Sequence, residues 1–289
     1  MSDQTPAPVV IKIPGFNALF FVRFIDRVLA FARQKLTASF YELCRVWLVR
    51  IGHYALLAGA VLGLFLATVM SVQQDSLHSL LAGLAWVCLI LALQYTAVKF
   101  MAAGDALIAS APNQLESPAF LDCFALLNLV GGLVAFLWFT IVAGRLGDAN
   151  WFWFGLSVTA FCVAMALVTL NPRLLNMTVS ASATADEEAL SILSFLTKAF
   201  LKIVPLCFGL WAVAGAVGLA IASIDILRNT GPDATLFFMG STAASLVVGA
   251  AVLPLVAYVA FLLYYLTIAV IRAVLVIPAK LDALRSSQS

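Results

Sequence analysis

Five cysteines and two histidines are the first residues to weigh, because thiolate and imidazole side chains bind metals, form disulfides and act as nucleophile or base. Cys44, Cys88, Cys123, Cys162 and Cys207 are odd in number and fall in five separate, mostly apolar stretches, without a C-x-x-C pair. That spacing offers neither a disulfide framework nor a zinc site, and the thiols read as small apolar core residues. His53 and His78 fall at opposite ends of adjacent apolar runs. Across a bilayer they would stand about 25 Å or more apart, too far to clamp a haem together. Gly155-Leu156-Ser157-Val158 lacks the final glycine of a serine nucleophile elbow. Glu187 and Glu188 have no His or further carboxylate nearby at ligand spacing. At the start of a helix, two acidic residues complement the positive end of the helix dipole. The expectation is a chain without catalytic or metal-binding residues, not an enzyme, with bound lipid as the one conceivable ligand of cofactor type.

A polar cluster is the remaining chemistry. Gln94 lies five residues before Lys99, and Asn128 six residues after Asp122. Helix rise puts both amides about 8 Å into a bilayer, at matched depth. An ionisable group at the bilayer centre costs at least ~2.5 kcal/mol and marks an ion or proton path. None is found there, which disfavours a proton pump, a retinal protein or a charge-coupled antiporter. Lys99 and Asp122 sit near the interface, where snorkelling and mutual pairing make them inexpensive. Two readings follow for Gln94, Lys99, Asp122 and Asn128: interhelical hydrogen-bond glue, or the wall of an inward-facing solute vestibule.

The elements that would carry these residues follow from composition. The 289 residues are 64% hydrophobic and 10% charged, whereas a soluble domain needs about a quarter charged residues to face water. Lipid is therefore the solvent, and an all-α polytopic bundle is expected. Five runs free of Asp, Glu, Lys and Arg are long enough to cross the roughly 30 Å hydrocarbon core: 51–72, 76–98, 123–144, 149–172 and 203–224. A sixth charge-free run, 236–271, has 36 residues. Its middle, AYVAFLLYYL at 257–266, contains no Gly, Pro, Asn or Asp with which to reverse the chain. One span over about 235–258, followed by a continuing or bent helix, accounts for it. Fourteen of the 16 Lys and Arg then fall on the side that holds both termini, leaving Arg145 and Arg228 on the other. The positive-inside rule places the termini in the cytoplasm and the bundle in the cell (inner) membrane. Short outer loops pair the spans as three hairpins. Hairpin starts 72 and 80 residues apart, and the recurrence of Ala58-Gly59-Ala60-Val61 as Ala214-Gly215-Ala216-Val217, hint at an internal repeat.

Two amphipathic interfacial helices are expected outside the spans. From Phe16 to Arg50, basic residues including Arg23, Arg27 and Arg33 alternate with Phe and Leu, the pattern of a helix lying among lipid headgroups. Thr184 and Glu187 have capping-box spacing, and Glu187, Ser191, Ser194, Lys198 and Lys202 form one polar face of a mid-chain helix. The organisation expected is a cytoplasmic tail and basic helix at 1–50, a six-span bundle at 51–258, and an apolar helix with a polar tail at 259–289. Small-residue pairs Gly59 and Gly63, Gly131 and Ala135, and Ser245 and Gly249 permit close helix packing. Trp151 and Trp153 suit an aromatic belt. Leu262, Leu263, Val270, Val274 and Ile277 extend apolar surface past one membrane thickness. They point to contact with other membrane subunits or copies of the chain. The function expected is thus a non-catalytic membrane subunit or scaffold, with a transporter or channel for a neutral or amphiphilic solute as the alternative. Its partners would be lipids and protein, not nucleic acid.

Overall fold

The computed structural model describes residues 19–115, 117–179, 185–228 and 234–286. Seven α-helices account for most of them: α1 Leu19–Lys35, α2 Ala38–Gln73, α3 Leu77–Ser110, α4 Pro118–Leu146, α5 Ala149–Leu170, α6 Ala185–Arg228 and α7 Ala234–Ser286. Six of these, α2 to α7, contain segments long and apolar enough to cross a membrane, so the chain is a multi-pass transmembrane helix bundle. The helix starts are written in short polar side chains. Thr37, Ser76, Ser117 and Asp148 each accept a first-turn backbone N–H, from Phe40, His78, Phe120 and Asn150. Gly147 ends α4 at φ +65°, a left-handed position that glycine adopts without a Cβ clash.

Four helices run well past membrane thickness. At 1.5 Å per residue α2, α3, α6 and α7 reach about 54, 51, 66 and 80 Å, against about 30 Å of hydrocarbon. The extra length of α2, α3 and α6 gathers at the end of the bundle where α2 begins and α3 finishes, here called basal. There Tyr41, Leu115, Leu121, Val168, Leu175, Phe195 and Ile203 form a buried core. Strands β1 Asn113–Leu115 and β2 Met177–Val179 pair in parallel beside it, linked to α5 by a 3-10 turn, Pro172–Leu175.

Small residues set the helix contacts. Gly63 meets the Trp86 indole and Gly83 meets Ala67 between α2 and α3. Gly59 and Gly215, the glycines of the recurring tetrapeptides, approach the same Val247 side chain of α7 from α2 and α6. Gly131 and Gly249 do not contribute as expected, because a Cβ at either would meet nothing within 4 Å. Gly132, one residue on, packs against Cys162 and Thr159 of α5 instead. One residue turns a helix by about 100°, and an all-round apolar sequence does not fix which face turns inward. Gly131→Ala should therefore gain about 0.5–1 kcal/mol of helix propensity. Gly132→Ala, whose Cβ would stand 3.0 Å from Cys162 Cβ, should lose about 1–3 kcal/mol. Melting both variants in one detergent checks the opposite signs.

Two expected boundaries move. The stretch 16–50 is not one surface helix: α1 stops at Lys35, Thr37 caps α2, and α2 runs unbroken through residue 50. The mid-chain helix is likewise continuous with the following span, since α6 passes through Pro205 without ending. Thr184 lies outside the described residues, as does the side chain of Glu187. Glu188 accepts the Ser117 N–H at 3.1 Å and so joins the start of α6 to the cap of α4. The last span and its extension, expected as a continuing or bent helix, form the single helix α7, Ala234–Ser286. Its Ala257 and Phe261 are buried with Ile108, Leu201 and Val204, and Ile268 is buried too.

Candidate functional site at the basal end

The polar stripe of α6 faces inward. Ser194, Lys198 and Lys202 are all buried, which corrects the reading of a surface-exposed polar face. Lys202 donates to Asp105 of α3 at 3.1 Å and stands 3.8 Å from Glu42 of α2. Arg45 of α2 donates to the same two carboxylates, at 2.5 Å to Asp105 and 3.0 Å to Glu42. Beneath them the fully buried Tyr41 donates its hydroxyl to the Lys202 carbonyl at 2.5 Å, and the Lys202 ammonium lies 5.5 Å from the Tyr41 ring centre. Two cations thus share two carboxylates and tie α2, α3 and α6 together. Pairs that are partly shielded from water and share partners resist screening better than isolated surface pairs.

One turn earlier in α6, Lys198 has 0% exposure. Its ammonium donates to two backbone carbonyls, Ala111 just after α3 and Leu175 at the end of the 3-10 turn, the latter at 3.2 Å. A buried ammonium needs such acceptors to offset lost hydration. The side chain therefore fastens the two connections that carry β1 and β2. Asn176, in a left-handed conformation at φ 52°, donates a side-chain hydrogen bond to the Ala109 carbonyl at 2.8 Å. An open depression of about 470 Å³ lies alongside, lined in part by Arg45, Asp105, Arg173, Asn176 and Lys202.

The residues singled out from sequence are dispersed. Gln94 donates to the His53 carbonyl at 3.5 Å, and Asn128 to the Phe124 carbonyl at 2.8 Å. The two amides at matched depth thus serve different carbonyls. Lys99 is exposed and lies 5.4 Å from the Tyr95 ring centre. Asp122 pairs with Arg33 rather than Lys99, and the Arg33 side chain stays 49% exposed in that pair. Cys88 and Cys123 are exposed, not core residues, and all five cysteines are free. Trp151 and Trp153 are exposed, Trp151 stacked on Phe139. Leu262, Leu263 and Val270 are exposed, while Val274 and Ile277 lie outside the residues whose side chains are described. The tie joins residues from three helices far apart in sequence. Its visible signals are the i,i+3 pair Glu42 and Arg45, and a Ser-Lys-Lys stripe at i, i+4, i+8 that needs acidic company.

No protein family, curated protein or solved structure matches the chain.

Proposed function

We propose that the chain is a non-catalytic integral membrane subunit, a scaffold whose basal end binds other subunits or copies of itself. One observation carries this reading. Phe100 of α3 packs on Tyr258 of α7, and both helices run toward the basal end, so Asp105 and Leu263 stand at about the same level by helix rise. The Arg45, Asp105 and Lys202 tie marks a level where hydrocarbon has given way to headgroups or water, since ions avoid the bilayer core. At that level and beyond, Leu263, Leu266 and Val270 remain 59%, 61% and 54% exposed. Apolar side chains outside the hydrocarbon core cost about 1.5–3 kcal/mol each if left fully exposed, and a protein partner is the cover that relieves this. α7 continues to Ser286, offering about 27 Å of helix past Ile268.

The same reading takes the basal end as cytoplasmic, on the strength of the 14 Lys and Arg expected there. It takes the membrane as the inner membrane, and the helix pairs α2–α3, α4–α5 and α6–α7 as hairpins. Solute transport through a vestibule at Gln94 and Asn128 gains no support from amides bound to separate carbonyls of their own chain.

The test is a truncation after Ala269 combined with Leu263→Gln and Leu266→Gln, which removes the exposed apolar face and keeps the buried Phe261 and Ile268. It should leave an inserted bundle with the parent melting temperature but dissociate the native particle extracted in mild detergent. Retention of native mass and partners would overturn the scaffold reading, as would a full-length monodisperse monomer that catalyses solute flux in liposomes.

A further inference from the structure

Independently of that reading, the geometry of α1 points to a docking surface for anionic phospholipid. At about 100° per residue, Ile25, Leu29 and Ala32 share one sector of α1 about 60° wide, and Leu36 lies just past the helix end. Leu29 and Ala32 are buried, and Ile25 and Leu36 are half-buried. Phe31, Phe24 and Val28 fill the adjoining sector and are 61%, 55% and 38% exposed. A single apolar arc is thus divided along its length, one half seated on the protein and the other open.

The position of α1 identifies what faces the open half. Arg33 pairs with Asp122, the residue just before the charge-free run of α4. The Leu36 carbonyl accepts from Asn171, the residue just after α5. Both attachments lie at the edge of the bilayer that α4 and α5 cross, so the open half of the arc meets the headgroup and upper acyl region. Charge complementarity then selects the lipid. Arg23, Arg27 and Lys35 are exposed, with Arg27 and Lys35 in or beside the open sector and the Lys35 ammonium 5.9 Å from the Phe31 ring centre. Asp26 falls about 100° or more away from that sector. Basic residues flanking inserted aromatics favour an anionic leaflet over a zwitterionic one.

The experiment uses the full chain with its five cysteines replaced, carrying Phe31→Cys or, as the solvent-side control, Ala30→Cys, each labelled with an environment-sensitive dye. Both variants are first required to melt as the unlabelled parent. In vesicles of phosphatidylcholine with phosphatidylglycerol, the dye at 31 should be quenched by headgroup-proximal spin-labelled lipid roughly twofold more than the dye at 30. Adding Arg23→Gln, Arg27→Gln and Lys35→Gln should bring the signal at 31 down to its level in phosphatidylcholine alone. Equal quenching at 31 in neutral and anionic vesicles would overturn the anionic preference. A dye at 31 no better quenched than the dye at 30 would overturn lipid docking altogether.

Discussion

Lys198→Ala is expected to lower the stability of the purified protein by about 3–5 kcal/mol, which adds two losses of different origin. Removing the donor leaves the Ala111 and Leu175 carbonyls, which now accept from the ammonium, without a side-chain donor, at about 1–3 kcal/mol each if they stay dry. Removing three methylenes and an ammonium from a site with 0% exposure adds a cavity cost of similar size, which partial collapse and water entry reduce. Relief from burying a charge works in the opposite direction. Lys198→Met separates the terms, because it keeps most of the volume and discards the charge and the donor. It should lose less, about 1–3 kcal/mol. Denaturant unfolding in one detergent gives both values. Hydrogen exchange localises them: in the Ala variant, protection should fall first over β1 Asn113–Leu115 and β2 Met177–Val179, ahead of α4 and α5. An Ala variant within about 0.5 kcal/mol of the parent would mean that water already serves both carbonyls.

The spans were legible because crossing a membrane is a property of a run, and each charge-free run can be measured without knowing its neighbours. Thr37, Ser76, Ser117 and Asp148 were legible in principle for a related reason: a cap acts within three residues of itself. The direction of a polar stripe is different. Ser194, Lys198 and Lys202 recur at helical spacing whether the face meets water or carboxylates. What turns them inward lies at Glu42, Asp105, Ala111 and Leu175, far away in sequence. The same limit separates Gly131 from Gly132. In a helix apolar on every side, hydropathy carries no phase, and only the contact with Cys162 and Thr159 selects one of two adjacent glycines. Arg33 looked like its neighbours Arg23 and Arg27 until Asp122, 89 residues away, gave it a partner. Local chemistry thus reports where the helices lie along the chain, and long-range pairing decides which faces close the basal layer.

That closure depends on how near α2 and α6 come to each other, and the tightest described crossing of the two is at Gly52 and Gly209. A Cβ on Gly209 would run into the Leu48 carbonyl, and one on Gly52 would stand 2.9 Å from Gly209 Cα and 2.8 Å from the Phe208 ring. A ring edge can swing aside, whereas a helix carbonyl cannot move without its helix. Gly209→Ala should therefore push the helices apart and cost about 3 kcal/mol, at the upper end for one added methyl, with Gly209→Val failing to give a stable protein. The Lys202 ammonium is carried seven residues before Gly209, and Arg45 seven residues before Gly52, about 10 Å along each helix. Separation at the crossing consequently stretches the ion pairs that reach Asp105 from both sides. If this mechanical link holds, Asp105→Asn will destabilise the parent but have a clearly smaller effect in the Gly209→Ala background, a coupling of about 0.5–3 kcal/mol in a double-mutant cycle. Strict additivity of the two substitutions would show that the glycine crossing and the ionic tie hold α2 and α6 together independently.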